Sequence, residues 1–254
     1  MSTNSKVTRV QPVFAWLNEQ GGKNWPTRLL SMASGITLPV NIGTLERVEL
    51  DPERKVAASA ARLAWMIRNV SRLAPTDGRK WRKLLERTSN AAEVKAALTR
   101  LDHGDTSGLG KLRLEGITHA DCLIECERGL IWIEGKRFDW ISPSIKWDIS
   151  RDQLARNLEA VWLLAKNAGK DYCLVICHEH PLKHHEQALL DGYRKCTCAA
   201  GWPHISADQR TEFSNRIGTL TWHKIGDAWP DLRSLPQLHD LPSESDNGEA
   251  DPNS

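Results

Sequence analysis

Two carboxylates and a lysine within one predicted β-hairpin are the residues best suited to chemistry. Asp121 precedes an apolar run, and Glu134-Gly135-Lys136 ends the next one, with the turn dipeptide Arg128-Gly129 between them. If this dipeptide forms a two-residue hairpin turn, Asp121 lies opposite Lys136. Side chains along a strand alternate between the two faces of a sheet. We therefore expect Asp121, Glu134 and Lys136 on one face and an apolar set on the other: Cys122, Ile124, Cys126, Ile131 and Ile133.

These residues are equipped to act on a phosphate group. Two carboxylates can hold a hard divalent cation, Mg²⁺ or Mn²⁺, and the peptide carbonyl of Gly135 can add a third oxygen ligand. A cation bound there polarises a phosphoryl oxygen and lowers the pKa of a bound water. Lys136 can orient that water or stabilise the charge that develops on the phosphate. The pattern therefore predicts a metal site formed by Asp121, Glu134 and Gly135, and hydrolysis of phosphodiester bonds.

A plainer interpretation of the same residues stays open. Asp121 and Lys136 can form an ordinary cross-strand ion pair with Glu134 beside it, which would contribute little to stability at a surface.

The motif and its context resemble the PD-(D/E)XK nuclease superfamily, which includes restriction endonucleases and recombination nucleases. The resemblance extends from Glu93 to about Cys177, and it rests on Asp121, twelve intervening residues, and then Glu134-Gly135-Lys136, in the order helix, hairpin, helix. It implies that Asp121 and Glu134 bind Mg²⁺ and that Lys136 assists the attacking water. Ala120 stands where the superfamily often has proline.

The resemblance also implies two supporting residues. Gln153, in the helix expected after the hairpin, is the candidate to contact phosphate or water. A glutamate upstream of the aspartate is common in the superfamily. The candidates here are Glu86, Glu93 and Glu115, and we favour Glu93 as a catalytic residue.

The function that the resemblance implies is a divalent-metal-dependent nuclease with a restriction-endonuclease-like α/β core. We expect a DNA endonuclease from a bacterial or phage defence, restriction or repair system. The alternative is a catalytically silent module that keeps the nuclease-like fold and binds nucleic acid or a protein partner.

The elements that must position the motif change character along the chain. Residues 1–103 have mostly helical periodicity and predict an N-terminal helical region, whose last helix can belong to the nuclease core. Residues 104–239 change to strand periodicity and then alternate helix and strand. This order predicts a mixed β-sheet flanked by helices, with a last strand at 219–225. Residues 240–254 are expected to be a disordered acidic tail.

The charge distribution favours a polyanionic partner. The formal net charge is +2, but five acidic residues and no Lys or Arg fall within 240–254, leaving 34 basic and 27 acidic residues in the body. A basic body suits nucleic acid, and we expect DNA. The basic helical segment 79–87 could contact a phosphate backbone, and the alternative is that it is an ordinary solvated helix face. Candidate contacts to the phosphate backbone are Arg79, Lys80, Arg82, Lys83 and Arg137.

Composition sets the remaining limits. The chain is 40% hydrophobic and 26% charged, which is typical of globular proteins and excludes a fully disordered chain. The longest nearly apolar stretch, 56–67, is too short to span a membrane, and the first residues lack the apolar core of a secretory signal. We therefore expect a cytoplasmic protein without a membrane partner. A homodimer is a further candidate assembly, because many enzymes that cut both strands dimerise.

Six cysteines in a chain without an export signal indicate reduced thiols. Cysteines and histidines cluster in the second half, so a structural zinc site is an alternative for these residues. They are Cys173, Cys177, His178, His180, His184, His185, Cys196 and Cys198.

Overall fold

The structure is a computed structural model, and it describes residues 5–37, 39–50, 56–137, 141–142, 144–179, 184–195, 201–236 and 238–241. Within these residues the centre is a mixed sheet of five strands, which are adjacent in chain order. The first three strands pair antiparallel, and the third, fourth and fifth pair parallel. The predicted α/β class with a mixed sheet flanked by helices is confirmed. The strands are β1 Leu45–Glu49, β2 Cys122–Cys126, β3 Gly129–Lys136, β4 Asp171–His178 and β5 Ile217–Thr221.

Helices cover the sheet and begin and end where local signals place them. Asn90 caps the fifth helix by accepting hydrogen bonds from two backbone N–H groups. Asp152 caps the sixth by accepting a hydrogen bond from the Ala155 N–H, and Gly169 ends it in the left-handed conformation that favours glycine. The described α-helices are α1 Gln11–Gln20, α2 Trp25–Met32, α3 Ala60–Arg68, α4 Gly78–Thr88, α5 Ala91–Asp102, α6 Gln153–Ala168, α7 His184–Arg194, α8 Ala207–Ser214 and α9 Trp222–Ala228.

Apolar side chains are buried on both faces of the sheet. One face packs under α1, α2 and α9, with Phe14 and Trp222 fully buried. The other packs under α6 and α8, with Leu158, Val161 and Phe213 fully buried. The hairpin face that carries the carboxylates is therefore covered as well, because α6 lies across it. The hairpin divides as the alternation predicts: Cys122, Ile124, Cys126, Ile131 and Ile133 in the first core, and Leu123, Leu130 and Trp132 in the second.

The predicted hairpin register is wrong by two residues. Cys122 pairs with Ile133 and Glu125 with Leu130, so the turn residues are Glu127 and Arg128. Continuing this register places Asp121 level with Glu134 rather than with Lys136. Because the shift is an even number of residues, the predicted face of each side chain is unchanged.

The N-terminal 103 residues do more than form a helical region. They supply β1, which pairs with β2 at the sheet edge, and α1 and α2 pack into the first core. Only α3, α4 and α5 form a separate core cluster, together with the segment 109–114. The predicted boundary at residue 103 therefore does not separate the helical region from the sheet.

The C-terminal predictions also need correction. The last strand ends at Thr221, and α9 follows where 222–225 were expected to continue the strand. Leu241 is buried in the first core and Asp240 is ion-paired, so the ordered chain continues past residue 239. Residues 242–254 of the predicted tail lie outside the described residues. In the described part of the chain, no helix has both the length and the apolar character needed to cross a membrane.

Candidate active site

The hairpin brings the predicted carboxylates and lysine together at one end of β3. The Gly135 N–H donates to Asp121 Oδ2 at 2.9 Å, which links the residue preceding β2 to the motif on β3. Glu134 and Lys136 are only 5% and 9% exposed, whereas Asp121 is half-buried. A Cβ at position 135, between Glu134 and Lys136, would lie 2.3 Å from Val10 Cγ2, so any larger residue there would force the buried Val10 to move.

Two amides from α6 hold the carboxylate of Glu134. Gln153 Nε2 donates to Oε1 at 2.5 Å, and Asn157 Nδ2 donates to Oε2 at 2.8 Å. Lys136 Nζ lies 3.0 Å from Glu134 Oε1 and donates to Gln153 Oε1 at 3.2 Å. Four side chains thus form one hydrogen-bonded group, of which Glu134, Lys136 and Gln153 were predicted.

Asn157 was not predicted as a site residue. It is four residues after Gln153, a spacing that puts both amides on the same face of α6. The sequence signal that could have identified Asn157 is an amide at this spacing on a helix face otherwise occupied by Leu154, Leu158 and Val161. A polar residue inside such an apolar stripe needs a buried partner, and Glu134 is that partner.

The electrostatic environment perturbs Glu134 strongly. Burial and the neighbouring charge of Asp121 raise its pKa to about 7, although Lys136 and the Asn157 amide act in the opposite direction. A carboxyl that is desolvated beside a second carboxylate is a frequent feature of functional sites. A cation near both carboxylates would offset this repulsion.

The donor set fits a hard divalent cation. Asp121 and Glu134 supply carboxylate oxygens, the ligand type that Mg²⁺ prefers. The carbonyl of Gly135 accepts a hydrogen bond from Ser5 Oγ at 2.7 Å, and a carbonyl oxygen has a second lone pair for a cation. Within the described residues, no three or more His, Cys, Asp or Glu side chains are grouped so that they could hold a metal ion by themselves. The protein would thus contribute two carboxylates and one carbonyl, leaving the remaining positions to water and phosphate, as is usual for Mg²⁺.

Glu93 does not join the site. It is exposed in the first turn of α5, which packs against α3. The upstream glutamate that is buried is Glu115, whose carboxylate pairs with Arg62 Nε and Arg151 Nε, each at 3.0 Å. The preference for Glu93 over Glu115 is therefore not supported by the geometry, because chain position does not show which glutamate faces the core.

The predicted basic helix is present as α4, and its basic side chains differ in their exposure to solvent. Arg79, Arg82 and Lys83 are exposed on α4, which Leu84 anchors to its core. Lys80 is partly buried and lies 3.2 Å from Asp77. Three of the four side chains are thus exposed to solvent.

Arg137 is engaged inside the protein rather than exposed for a phosphate. Its guanidinium lies 3.2 Å from Glu179 and 2.5 Å from Asp240, and its side chain is 14% exposed. The same two acids also bind Arg9, which is fully buried. The prediction of Arg137 as a nucleic-acid contact did not include these two carboxylates, which come from distant parts of the chain.

The described cysteines belong to the core. Cys122, Cys126, Cys173 and Cys177 are buried free thiols in the first core. Burial raises the pKa of all four, which disfavours the thiolate needed for nucleophilic attack or zinc binding. Among the other residues of the suggested zinc cluster, His178 is buried at the end of β4, and His180, Cys196 and Cys198 lie outside the described residues.

No family model, curated protein or solved structure matches this chain.

Proposed function

We propose that the protein is a divalent-metal-dependent nuclease with a restriction-endonuclease-like core, and that its preferred substrate is DNA. The observation that carries this proposal is the convergence of Asp121, Glu134, Lys136 and Gln153 at one end of β3. Residues predicted from a short motif are joined there by hydrogen bonds, and burial together with the charge of Asp121 raises the pKa of Glu134. An ordinary surface ion pair would show neither the burial nor the amide contacts.

Each residue has a definite task in this proposal. Asp121, Glu134 and the Gly135 carbonyl would hold Mg²⁺ or Mn²⁺, which supplies a Lewis acid for the phosphate and a more acidic bound water. Lys136 is positioned by Glu134 and Gln153, so its ammonium group can stabilise charge that develops on a phosphate oxygen. Gln153 shares its amide between Glu134, Lys136 and the Ser142 N–H.

Exposure indicates the side from which substrate approaches. Asp121 is half-buried whereas Glu134 and Lys136 are nearly enclosed, so a phosphate would enter beside Asp121. In this proposal Lys136 and Gln153, which contact Glu134 in the structure, would turn towards the phosphate and the water when substrate binds.

The exposed basic side chains of α4 are the proposed contact to the nucleic-acid backbone. The helix adjoins the loop that leads into α6: the Arg87 guanidinium lies 4.8 Å from the centre of the Trp147 ring. The backbone N–H of Thr76, just before α4, also donates to the Lys146 carbonyl of that loop. Phosphate contacts on α4 would therefore be mechanically connected to the segment that carries Gln153. The cytoplasmic setting, the role in defence, restriction or repair, and the homodimer stay predictions.

A cleavage assay tests the proposal. Purified protein is incubated with linear, circular and single-stranded DNA and with RNA, in Mg²⁺, in Mn²⁺ or in EDTA. We expect cutting of DNA with metal, none in EDTA, and none by Glu134→Gln. Nicking of the circular substrate would identify an endonuclease.

The matched control is Glu125→Gln, which removes a carboxylate from β2 that pairs with Lys170 and Arg47 instead of the site. This variant should cut like wild type. Absence of cutting on every substrate, combined with tight DNA binding, would favour the catalytically silent module.

A further inference from the structure

We propose that Asn157 is a positioning residue that fixes the orientation of the Glu134 carboxylate for the metal ion. This role rests on the proposed function and adds a residue to it. The hydrogen bond from Asn157 Nδ2 to Glu134 Oε2 is 2.8 Å long and fully buried. Asn157 itself is 3% exposed.

The two oxygens of Glu134 have different surroundings. Oε1 accepts a part-buried hydrogen bond from Gln153 at 2.5 Å and lies 3.0 Å from Lys136 Nζ, whose side chain is 11% exposed. These are the two side chains that turn to the phosphate and the water in the proposed reaction. When they leave Oε1, the buried bond from Asn157 is the amide contact that stays.

A carboxylate held in this way cannot rotate freely. The last torsion of a glutamate side chain is broad and roughly two-fold, so sterics alone set it weakly. Mg²⁺, in contrast, demands near-ideal octahedral geometry with oxygen ligands at about 2.0–2.1 Å. A fixed hydrogen bond to one oxygen orients the other, which is why groups that hydrogen-bond to metal ligands affect metal affinity.

Helix α6 is built to keep Asn157 in place. Asp152 caps its first turn, and Leu154, Leu158 and Val161 are fully buried against the sheet. The indole N–H of Trp202 donates to the Ala155 carbonyl at 3.0 Å, which ties the helix to the 201–205 segment. Both partners, Asn157 and Glu134, therefore lie on rigid elements.

The test is direct binding of Mn²⁺, measured by electron paramagnetic resonance on the purified full-length chain at pH 8. Asn157→Leu keeps a similar side-chain volume and removes the donor. Loss of a hydrogen bond to a metal ligand typically costs about 10–100-fold in metal affinity. We expect the Mn²⁺ dissociation constant of this variant to rise by about 10-fold or more.

Cleavage measurements separate positioning from a merely structural role. The metal concentration for half-maximal cleavage should rise in parallel with the dissociation constant, while kcat at saturating metal stays within about three-fold of wild type. Gln153→Leu should show the opposite pattern, with a fall in kcat at every metal concentration.

Gln209→Leu is the matched control. Gln209 is a half-buried amide on α8 that donates to Glu212 at 2.9 Å, so its loss removes the same kind of bond away from the metal ligands. Its Mn²⁺ affinity should equal that of wild type. Denaturant unfolding of each variant establishes that the protein is folded, and Asn157→Ala replaces Asn157→Leu if leucine prevents folding.

The outcomes distinguish the two proposals. Wild-type affinity for Mn²⁺ in a folded Asn157 variant would overturn the positioning role and leave the nuclease proposal intact. Absence of Mn²⁺ binding by the wild type would overturn both. Weaker binding by the Asn157 variant that more metal restores, with no change in Gln209→Leu, would support the role.

Discussion

Replacing Glu134 by glutamine removes a charge that destabilises the folded protein. Burial and the charge of Asp121 raise the pKa of Glu134 from 4.5 to about 7. The folded state therefore binds more protons at this residue than the unfolded state does between these two pH values. Protonated Glu134 contributes stability that is fully present below pH 4.5 and is lost as pH rises through 7. At about 1.4 kcal/mol per pKa unit, the loss amounts to about 3 kcal/mol at pH 8.

Glu134→Gln stays neutral at every pH and does not share this loss. The substitution also changes the contacts with Lys136, Gln153 and Asn157 by an amount that is nearly independent of pH. The informative quantity is thus the change with pH. Between pH 5 and pH 8, the free energy of unfolding of the variant should rise by about 2–3 kcal/mol relative to wild type.

Urea unfolding followed by tryptophan fluorescence, in EDTA, measures this difference. Glu125→Gln accounts for the effect of removing a carboxylate elsewhere on the hairpin. A difference between Glu134→Gln and wild type that is constant to within about 0.5 kcal/mol from pH 5 to pH 8 would refute the reasoning.

Three further predictions concern activity and binding. Mn²⁺ affinity of the wild type should fall as pH drops below about 7, because Glu134 must lose its proton to bind a cation; isothermal titration calorimetry from pH 5.5 to 8 checks this, and an affinity independent of pH would argue against Glu134 as a ligand. Lys136→Met should lower kcat by about 100-fold or more while Mn²⁺ binding persists, which single-turnover cleavage and calorimetry measure together. Replacing Arg82 and Lys83 on α4 by glutamine should weaken DNA binding and reduce the slope of log affinity against log salt concentration by about 2. Fluorescence anisotropy measures this slope, with Lys95→Gln, an exposed lysine on α5, as the control. Equal slopes for the two proteins would remove α4 from the interface.

The hairpin shows which local signals were informative. Alternation correctly assigned Glu134 and Lys136 to one face, where both contact Gln153, because a period of two survives an even shift in register. The register itself was wrong because Gly129 was interpreted as a turn residue. Glycine fits at position 129 because the backbone of Ile42 passes close to it: a Cβ at Gly129 would lie 2.9 Å from the Ile42 Cα.

The missed strand and the shifted C-terminal elements have local causes. Glu46, Arg47 and Glu49 make β1 a charged edge strand without apolar alternation, which protects an open sheet edge. At the C-terminus, Thr221 accepts a hydrogen bond from the Lys224 N–H and starts α9, although the run that follows favours a strand.

Long-range partners decided the remaining differences. The pairing of Arg137 with Glu179 and Asp240 joins residues 42 and 103 positions apart, so no local pattern contains it. In the same way, Glu115 is held in the core by ion pairs with Arg62 and Arg151, which come from different parts of the chain. Sequence reasoning found the residues of the motif, because they lie on adjacent strands and the next helix, and it failed where the partner was distant.

The most direct test compares wild type with Asp121→Asn on circular DNA in Mg²⁺. Asparagine keeps an oxygen that can accept the Gly135 N–H, so the hairpin is retained while the carboxylate charge is lost. We predict metal-dependent nicking by wild type and none by the variant. Equal nicking by both proteins, or nicking by wild type in EDTA, would contradict a metal site at Asp121 and Glu134.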